Sequence, residues 1–435
     1  MGEMNAFDKI VGYESIKREL TKTADMLSND EPYRKLNVTM PHGLLLYGKP
    51  GVGKSLMASC LIEASGRPTF TCRKAEPNGE FVKTITSTFK QAKEKSPSIV
   101  FLDDLDKFAN DDINHCDSEE YVTVQSCIDE VGDKNVFVLA TANEINKLPK
   151  SLKRPGRFDR IINVGVPTRK DIVPIVGHFL KGKRLADDVN PVVVADLLYG
   201  HSCATLETVI NEAGLMAGFE RAALVEMRHL VKSFLMVVHH VSPELIDQGE
   251  PVDLATNSAA AHLIWHEAGH ATMQELLFPN SVSLVFAGLG EEDAKAFTVC
   301  KNDFAMSVSE SDWQNKVMVG LAGREATFMN LGRATGCDYD LDKSLQIIRG
   351  AISEEGIAGF SLLDSPEFGS SEDLFRAEEA VTSAVLEICS KKVRMALLAN
   401  RELLTKIAEE LATTGVLTAL CIKKIRKSCE LKPLE

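Results

Sequence analysis

A phosphate-binding loop, Gly48–Ser55, constrains the fold of this chain more than any other feature of its sequence. The loop reads Gly-Lys-Pro-Gly-Val-Gly-Lys-Ser, follows the short apolar run Gly43–Tyr47 and precedes a segment of helical character, Leu56–Ala64. The apolar run is typical of a buried parallel strand. Where such a strand, a loop and a helix follow one another, backbone N–H groups hold phosphate oxygens at the helix N-terminus. A Gly-rich turn without a ligand is the alternative, and the two flanking elements favour the phosphate site.

The residues of this loop have distinct expected roles. Lys54 is expected to reach the terminal phosphates of a nucleotide, and the Ser55 hydroxyl to bind the accompanying Mg²⁺. Glycines allow the backbone to turn its N–H groups onto the phosphates. The loop therefore predicts these nucleotide-binding residues: Pro50, Gly51, Val52, Gly53, Lys54, Ser55 and Leu56.

Two further apolar runs end in polar residues. Ile99–Leu102 is followed by Asp103 and Asp104, and Val136–Ala140 is followed by Thr141-Ala142-Asn143. We expect Asp103 to bind the Mg²⁺, Asp104 to orient the attacking water, and Asn143 to lie beside the same phosphates. Three apolar strands separated by helical stretches predict an α/β fold with a doubly wound parallel sheet, whose site lies at the carboxyl ends of the strands.

Arg154 and Arg157 follow the third predicted strand in the sequence Arg-Pro-Gly-Arg-Phe-Asp. Two arginines on a rigid turn could reach the nucleotide of a neighbouring subunit and stabilise the charge of the transferred phosphate. A loop held by salt bridges is the alternative interpretation.

A second motif lies in the Ala- and Leu-rich run Asn257–Phe278. His266 and His270 are four residues apart, so on a helix both imidazoles face the same side and can bind one zinc ion, while Glu267 polarises the zinc-bound water. Two ordinary histidines and a surface glutamate are the alternative. His262 could form a rival pair with His266, but no glutamate follows it, and we expect it on the surface.

The size and composition of the chain limit the remaining possibilities. Its 435 residues suggest two or three domains, and its net charge of -13 argues against a nucleic-acid binder. The ten cysteines include no C-x-x-C pair, which favours a reducing compartment over a disulfide framework. The sequence shows neither an apolar signal core nor a membrane-spanning run. We therefore expect a cytoplasmic protein without an integral membrane segment.

From Phe7 to about Glu220, the order of these nucleotide motifs resembles the ATPase module of the AAA family. His178 matches a family histidine beside the adenosine, and Val11 and Gly12 match residues around the base. With the His266–His270 motif included, the whole chain resembles the FtsH-type AAA metalloproteases. The resemblance implies a large ATPase subdomain at 1–160, a helical lid at 161–245 and a mainly α-helical zinc metallopeptidase domain at 246–435.

The same resemblance implies Asp340 as the third zinc ligand, because Asp340 occupies the aspartate position of a family segment, Thr335–Leu341. Spacing alone does not choose it over Asp338 or Cys337. Two histidines and one carboxylate leave a fourth position open for water. Short strands are expected at Val282–Phe286 and Phe297–Val299, where an edge could pair with an extended peptide.

The function implied is that of an ATP-dependent zinc endopeptidase with Zn²⁺, ATP and Mg²⁺ as cofactors. It would degrade soluble or loosely folded polypeptides as a homo-oligomer, and the family pattern implies a hexameric ring. A non-proteolytic remodelling ATPase and a peptidase gated only by nucleotide are the alternatives. The segment that grips polypeptide in threading ATPases is several residues short here, so either Phe81 or Pro77 takes the position of its aromatic residue.

Asp104 stands where the family usually has glutamate, so the carboxylate that orients water is one methylene shorter. We predict slow ATP hydrolysis by the purified protein. A steady-state phosphate-release assay measures it, and a rate in the ordinary range of the family contradicts the prediction.

Overall fold

The computed structural model describes residues 6–74, 81–109, 118–246, 251–289, 294–301, 310–333, 337–353 and 372–433. The chain divides into two compact units, Met1–Val238 and His239–Glu435. Each unit has its own core and is described by itself.

In the first unit, strands alternate with helices. The strands are β1 (Gly43–Tyr47), β2 (Thr69–Arg73), β3 (Ser98–Asp103), β4 (Val136–Ala142) and β5 (Arg160–Asn163). The helices are α1 (Glu14–Ser28), α2 (Glu31–Lys35), α3 (Lys54–Ser65), α4 (Phe81–Glu94), α5 (Ser118–Val131), α6 (Arg169–Leu180), α7 (Pro191–Leu197), α8 (Cys203–Phe219) and α9 (Met227–His239). Short 3₁₀ helices span Ala6–Lys9, Leu105–Lys107 and Ile145–Lys147.

The described strands of this unit form one parallel sheet in the order β2-β3-β4-β1-β5. Strand β1 pairs with β4 and β5, so Tyr47 lies beside both Ala142 and Asn163. Strand β3 pairs with β4, with Leu102 opposite Ala140. The polar residues after β1, β3 and β4 therefore meet at one edge of the sheet, as the sequence predicts.

The central strands are continuous apolar runs because helices cover both faces of the sheet. Residues 44–46 of β1 and 99, 100 and 102 of β3 are fully buried. The predicted strand at Gly43–Tyr47 agrees with β1, and the other two predicted strands lie inside β3 and β4. The predicted α/β fold is confirmed.

Helices α6, α7 and α8 begin at capped positions. A capping box joins Thr168 and Asp171 at α6, and Asn190 and Ser202 accept backbone N–H bonds at α7 and α8. Such caps satisfy N–H groups that the first helical turn leaves unpaired.

The second unit is mainly helical. Its helices are α10 (Pro243–Ile246), α11 (Ala259–Leu277), α12 (Glu310–Leu331), α13 (Asp338–Ser353), α14 (Glu372–Ala399), α15 (Arg401–Thr414) and α16 (Ala419–Lys427). The strands β6 (Val282–Leu289), β7 (Ala294–Cys300) and β8 (Val416–Thr418) form an antiparallel sheet in the order β7-β6-β8. Both strands expected here from the sequence exist, and both are longer than predicted.

Helix α11 runs through the core of the second unit. Ser258 is its N-cap, and the Ser258 side chain accepts the Ala261 N–H. The helix is buried on several faces. Gly269 lets α12 approach closely, since a Cβ atom at this position would lie 2.4 Å from the carbonyl oxygen of Ala322. Close packing of these helices fixes the positions of the side chains that α11 carries.

Phe81, one of two candidates for gripping polypeptide, is a core residue. It begins α4, is 5% exposed, and its ring meets the edge of Phe108 at a centroid distance of 5.0 Å. A ring packed in this way is not accessible to a polypeptide. The other candidate, Pro77, lies outside the described residues.

Within the described ranges, none of the helices is both long enough and apolar enough to cross a lipid bilayer.

Candidate functional site

A cavity of about 740 Å³ lies at the carboxyl edge of the parallel sheet. Of the residues predicted to bind nucleotide or act on it, those that line this cavity are Val11, Pro50, Gly51, Val52, Gly53, Lys54, Ser55, Leu56, Asp104, Asn143 and His178. These residues come from the segment before α1, the segments that follow β1, β3 and β4, and the helices α3 and α6. The parallel sheet therefore brings together residues that are as much as 167 positions apart in the chain.

Two glycines of the phosphate loop occupy positions that a larger residue would strain. Gly48 has φ +152°, and a Cβ there would lie 2.0 Å from the carbonyl oxygen of Val164. Gly51 has φ +78°, and its carbonyl accepts the backbone N–H of Ala204 at 2.9 Å. The loop is thus tied to the start of α8, which forms part of the cavity wall.

Lys54 is bound within its own chain. Its ammonium donates to the carbonyl oxygens of Gly48 at 2.7 Å and Lys49 at 3.0 Å, and to Asn143 Oδ1 at 2.9 Å. Burial lowers the pKa of this ammonium. A phosphate that enters the cavity would exchange these neutral acceptors for an anion, which is the stronger partner of a lysine.

The two aspartates after β3 have different surroundings. Asp103 Oδ1 accepts the Thr141 hydroxyl at 2.8 Å, and the backbone N–H of Asp104 donates to the same hydroxyl oxygen at 2.9 Å. Asp104 Oδ2 accepts the ammonium of Lys107 at 2.7 Å. Burial favours a higher pKa for Asp104, but the bond and charge of Lys107, with smaller contributions from Arg73 and Asn143, outweigh it and lower this pKa. Asp103 is not among the residues lining the cavity.

The two arginines predicted to act on a neighbour's nucleotide differ in position. Arg157 makes a bidentate pair with Asp129, at 2.8 Å for both bonds, and donates to the carbonyl oxygen of Ser151 at 2.7 Å. The salt-bridged loop considered from the sequence is therefore present at Arg157. Arg154 is exposed.

The wall of the cavity also includes residues that were not predicted from the sequence. Tyr13 donates its hydroxyl to the carbonyl oxygen of Gly165 at 3.0 Å, and its oxygen lies 3.6 Å from Cys203 Sγ. Gly12, with φ +73°, packs against Asp171 and does not line the cavity. No local pattern marks Tyr13 or Cys203, because the fold alone brings α8 to this wall.

The second site is a candidate metal centre on α11. His266 Nε2 and His270 Nε2 lie 3.0 Å apart, and Asp340 Oδ2 lies 2.9 Å from the first and 3.2 Å from the second. Four-coordinate zinc with bonds of about 2.0 Å places neighbouring ligand atoms about 3.3 Å apart. The three atoms thus have nearly the spacing that one tetrahedral zinc ion requires.

The tautomer of His270 also fits a metal. Its Nδ1 lies 2.7 Å from the carbonyl oxygen of Val319, which can only accept, so Nδ1 carries the proton and the Nε2 lone pair faces the other ligand atoms. Among the described residues, the group able to hold a metal consists of His266, His270 and Asp340. The alternatives left open by spacing, Cys337 and Asp338, are not in this group.

Two titratable groups of this centre are shifted. Burial alone would lower the pKa of His270, but the bond with Asp340 and the charge of Glu267 raise it above the ordinary 6.5. Burial would raise the pKa of Asp340, and the two histidines lower it well below its usual range. Both shifts have one cause, since a positive His270 and an ionised Asp340 stabilise each other.

Glu267 points to the strand β7. Its Oε2 accepts the hydroxyl of Thr298 at 2.7 Å, and Glu267 is 5% exposed. Thr298 was not predicted from the sequence, because the contact joins residues 31 positions apart. The bond fixes the direction of the carboxylate beside the three ligand atoms.

Helix α12 supplies two further features that the sequence did not reveal. Val319 provides the carbonyl described above. Gly323, one helical turn later on the same face, would place a Cβ 2.6 Å from both His266 Cε1 and His270 Nε2. Gly323 therefore provides the space in which the two imidazoles lie side by side.

The expectation that His262 is a surface residue is wrong. His262 is 7% exposed, and its Nε2 lies 2.6 Å from Asn257 Oδ1. Its burial follows from the position of α11, which is packed on more than one side.

We predict that Gly323→Ala lowers zinc affinity by about tenfold or more, because the added methyl group displaces the imidazoles and outer-shell changes cost at least that much. Competition with a chromogenic chelator measures the affinity. Gly350→Ala in α13 is the matched control, since no atom lies within 4 Å of the added Cβ. Equal zinc affinity of the Gly323→Ala variant and the wild type contradicts the prediction.

Zinc affinity should also fall as the pH is lowered. Zinc requires the neutral imidazole of His270, and the raised pKa of that group means that protons compete with the metal at a pH above 6.5. Each pH unit below this pKa should weaken apparent affinity about tenfold. Chelator competition between pH 6 and 8 tests this, and an affinity independent of pH over that range refutes it.

Comparison with known proteins gives a domain match in the first unit and relatives that align with nearly all of the chain. Residues 44–166 match the family described as ATPase family associated with various cellular activities (AAA). The ATP-dependent zinc metalloprotease FtsH of Helicobacter pylori is 29% identical, with 96% of this chain and 70% of the relative aligned. The FtsH of Cyanidium caldarium is 28% identical over 95% of this chain and 71% of its own length.

A third relative, ATP-dependent zinc metalloprotease FtsH 2 of Thermoanaerobacter, is 26% identical over 93% of this chain and 79% of its own length. Each alignment runs through the phosphate loop and the metal centre, because it covers nearly all of the chain. The chain therefore contains an AAA domain and is similar along nearly its whole length to the relatives named ATP-dependent zinc metalloprotease FtsH.

Proposed function

We propose that this protein is an ATP-dependent zinc metalloendopeptidase that degrades soluble or loosely folded polypeptides. The observation that carries the proposal is the convergence of His266, His270 and Asp340 within bonding distance of one metal position, with Glu267 beside them. The cavity of the first unit supports ATP and Mg²⁺ as further cofactors. We propose 1–160 and 161–245 as the subdomains of the ATPase and 246–435 as the peptidase.

The side chains of the metal centre suit peptide hydrolysis. His266, His270 and Asp340 would hold a zinc ion, which would supply a water molecule of lowered pKa and polarise the carbonyl of a peptide. Glu267 is positioned to accept a proton, and Thr298 holds its carboxylate in place. Val319 holds the proton on Nδ1 of His270 and so keeps Nε2 as the metal-binding atom.

The substrate is proposed to be an extended polypeptide. Strand β7 is one of the two outer strands of the described sheet of this unit, and it carries Thr298, which contacts Glu267. Backbone pairing along such an edge selects little for side chains, so many sequences could be accepted.

We further propose that the protein assembles as a homo-oligomeric ring, with six subunits as the family expectation. Arg154 is exposed, so its side chain could reach the nucleotide of a neighbouring subunit. Arg157 would act indirectly, because its bonds with Asp129 and Ser151 hold the turn that carries Arg154 rigid. A cytoplasmic location is supported by the cysteines, since all those described are free thiols. The net charge of -13 supports a function without nucleic acid.

A peptidase only gated by nucleotide is a second candidate, favoured by the bond between Lys107 and Asp104, which engages the carboxylate needed for hydrolysis. Degradation of folded and unfolded substrates, with ATP and with a non-hydrolysable analogue, separates the two. A gated peptidase degrades the unfolded substrate equally with the analogue.

The decisive test is degradation of casein by the zinc-loaded wild type and by Glu267→Gln. The substitution removes the proton acceptor but keeps the shape of the side chain, so cleavage should fall by about a hundredfold or more. Zinc content and ATP affinity of the variant, measured in parallel, should remain those of the wild type. Absence of cleavage by the wild type with every nucleotide would instead support a remodelling ATPase.

A further inference from the structure

Asp104 and Lys107 form an ion pair on the wall of the nucleotide cavity. Asp104 has a left-handed backbone conformation, with φ +56°, and it precedes the 3₁₀ helix Leu105–Lys107. Side chains three residues apart eclipse each other on a 3₁₀ helix, so this turn places the Lys107 ammonium beside the Asp104 carboxylate. Their separation is 2.7 Å, and both residues line the cavity.

Asp104 is restrained by one backbone contact and by two contacts to its carboxylate. The backbone N–H of Asp104 is bonded to the Thr141 hydroxyl, which fixes the start of the side chain. Asn143 Nδ2 approaches Oδ1 at 3.4 Å, and Lys107 bonds Oδ2. The side chain of Asp104 is 20% exposed. A carboxylate held in this way has little freedom to turn away from the lysine and toward a water molecule.

We propose that Lys107 is a positioning residue that restrains ATP hydrolysis by competing with the attacking water for the carboxylate of Asp104. The inference rests on the proposed function, because it assumes that ATP occupies this cavity. It assigns to Lys107 control of the hydrolysis step, not of nucleotide binding. ATP would then stay bound for longer before each turnover.

A similar pair elsewhere shows what is special about this one. Lys147 and Glu144 are also three residues apart at a 3₁₀ helix, Ile145–Lys147, and are also 2.7 Å apart. The two lysines are similarly exposed, 56% for Lys107 and 46% for Lys147, but Glu144 is 60% exposed where Asp104 is 20%, and neither Lys147 nor Glu144 lines the cavity. Position in the cavity, not the ion pair itself, gives Lys107 its proposed effect.

The kinetic test compares the wild type with Lys107→Met, which keeps the length of the side chain and removes its charge. The kcat for ATP hydrolysis should rise about two- to fivefold, the range expected for loss of a partly exposed ion pair, while KM stays within a factor of two. Lys107→Arg should return kcat toward the wild-type value. Lys147→Met, the matched control, should leave both constants unchanged.

The opposite kinetic result has a clear meaning. If Lys107→Met raises KM and lowers kcat, the lysine binds the phosphates of ATP and the proposed restraint is wrong. An unchanged kcat in a variant that still binds ATP also overturns it, without affecting the proposed function. Affinity for a fluorescent ATP analogue, measured separately, identifies the case in which the chain binds no nucleotide and the proposed function itself fails.

A second measurement needs neither ATP nor activity. Limited acetylation of the nucleotide-free protein, followed by mass spectrometry, reports how readily each lysine reacts. Asp104→Asn should increase the reaction rate of Lys107 severalfold, since the amine loses its anionic partner, and should leave Lys147 unchanged. Equal reactivity of Lys107 in the variant and the wild type shows that the pair does not form in solution and overturns the inference.

Discussion

The close approach of α11 and α12 is the contact on which the metal centre depends. Gly269 on one helix and Gly323 on the other remove the side chains that would keep the backbones apart. At this distance the Val319 carbonyl reaches His270, and both imidazoles fit over Gly323. The third ligand, Asp340, comes from the first turn of α13, which packs on α12 at Gly320 and Ser344. The packing of α11, α12 and α13 therefore determines the positions of the metal ligands in this unit.

Three cations of the first unit already have partners within that unit. Lys54 binds backbone carbonyls and Asn143, Lys107 binds Asp104, and Arg157 binds Asp129. Of these three, Lys54 and Lys107 line the nucleotide cavity, so a nucleotide enters a site where both ammonium groups are already held in place. Preorganised donors of this kind lose little freedom on binding, but each must exchange an existing bond for a new one. The difference in free energy between the existing bonds and the new ones determines which contacts a phosphate gains.

Local sequence predicted the elements of both sites, and distant contacts completed them. The strand at Gly43–Tyr47 and the pairing of His266 with His270 follow from periodicity over a few residues. Asp340 required a family resemblance, because it lies 70 residues beyond His270 on another helix. No local sequence pattern identifies Thr298, Val319 or Gly323, because their contacts with the metal centre come from packing between elements. His262 was misjudged because a helix buried on several faces does not show the apolar stripe that separates inside from outside.

The partner of His270 is a main-chain carbonyl, not a side chain. No substitution at position 319, other than one that alters the backbone, can remove this acceptor, so the orientation of the imidazole is insensitive to mutation there. It is sensitive instead to where α12 lies along its own axis, because a shift of one residue moves the carbonyl by about 1.5 Å. Any event that slides this helix would change the hold on the metal without touching a single ligand. The geometry of the metal centre therefore depends on the position of α12 along its axis.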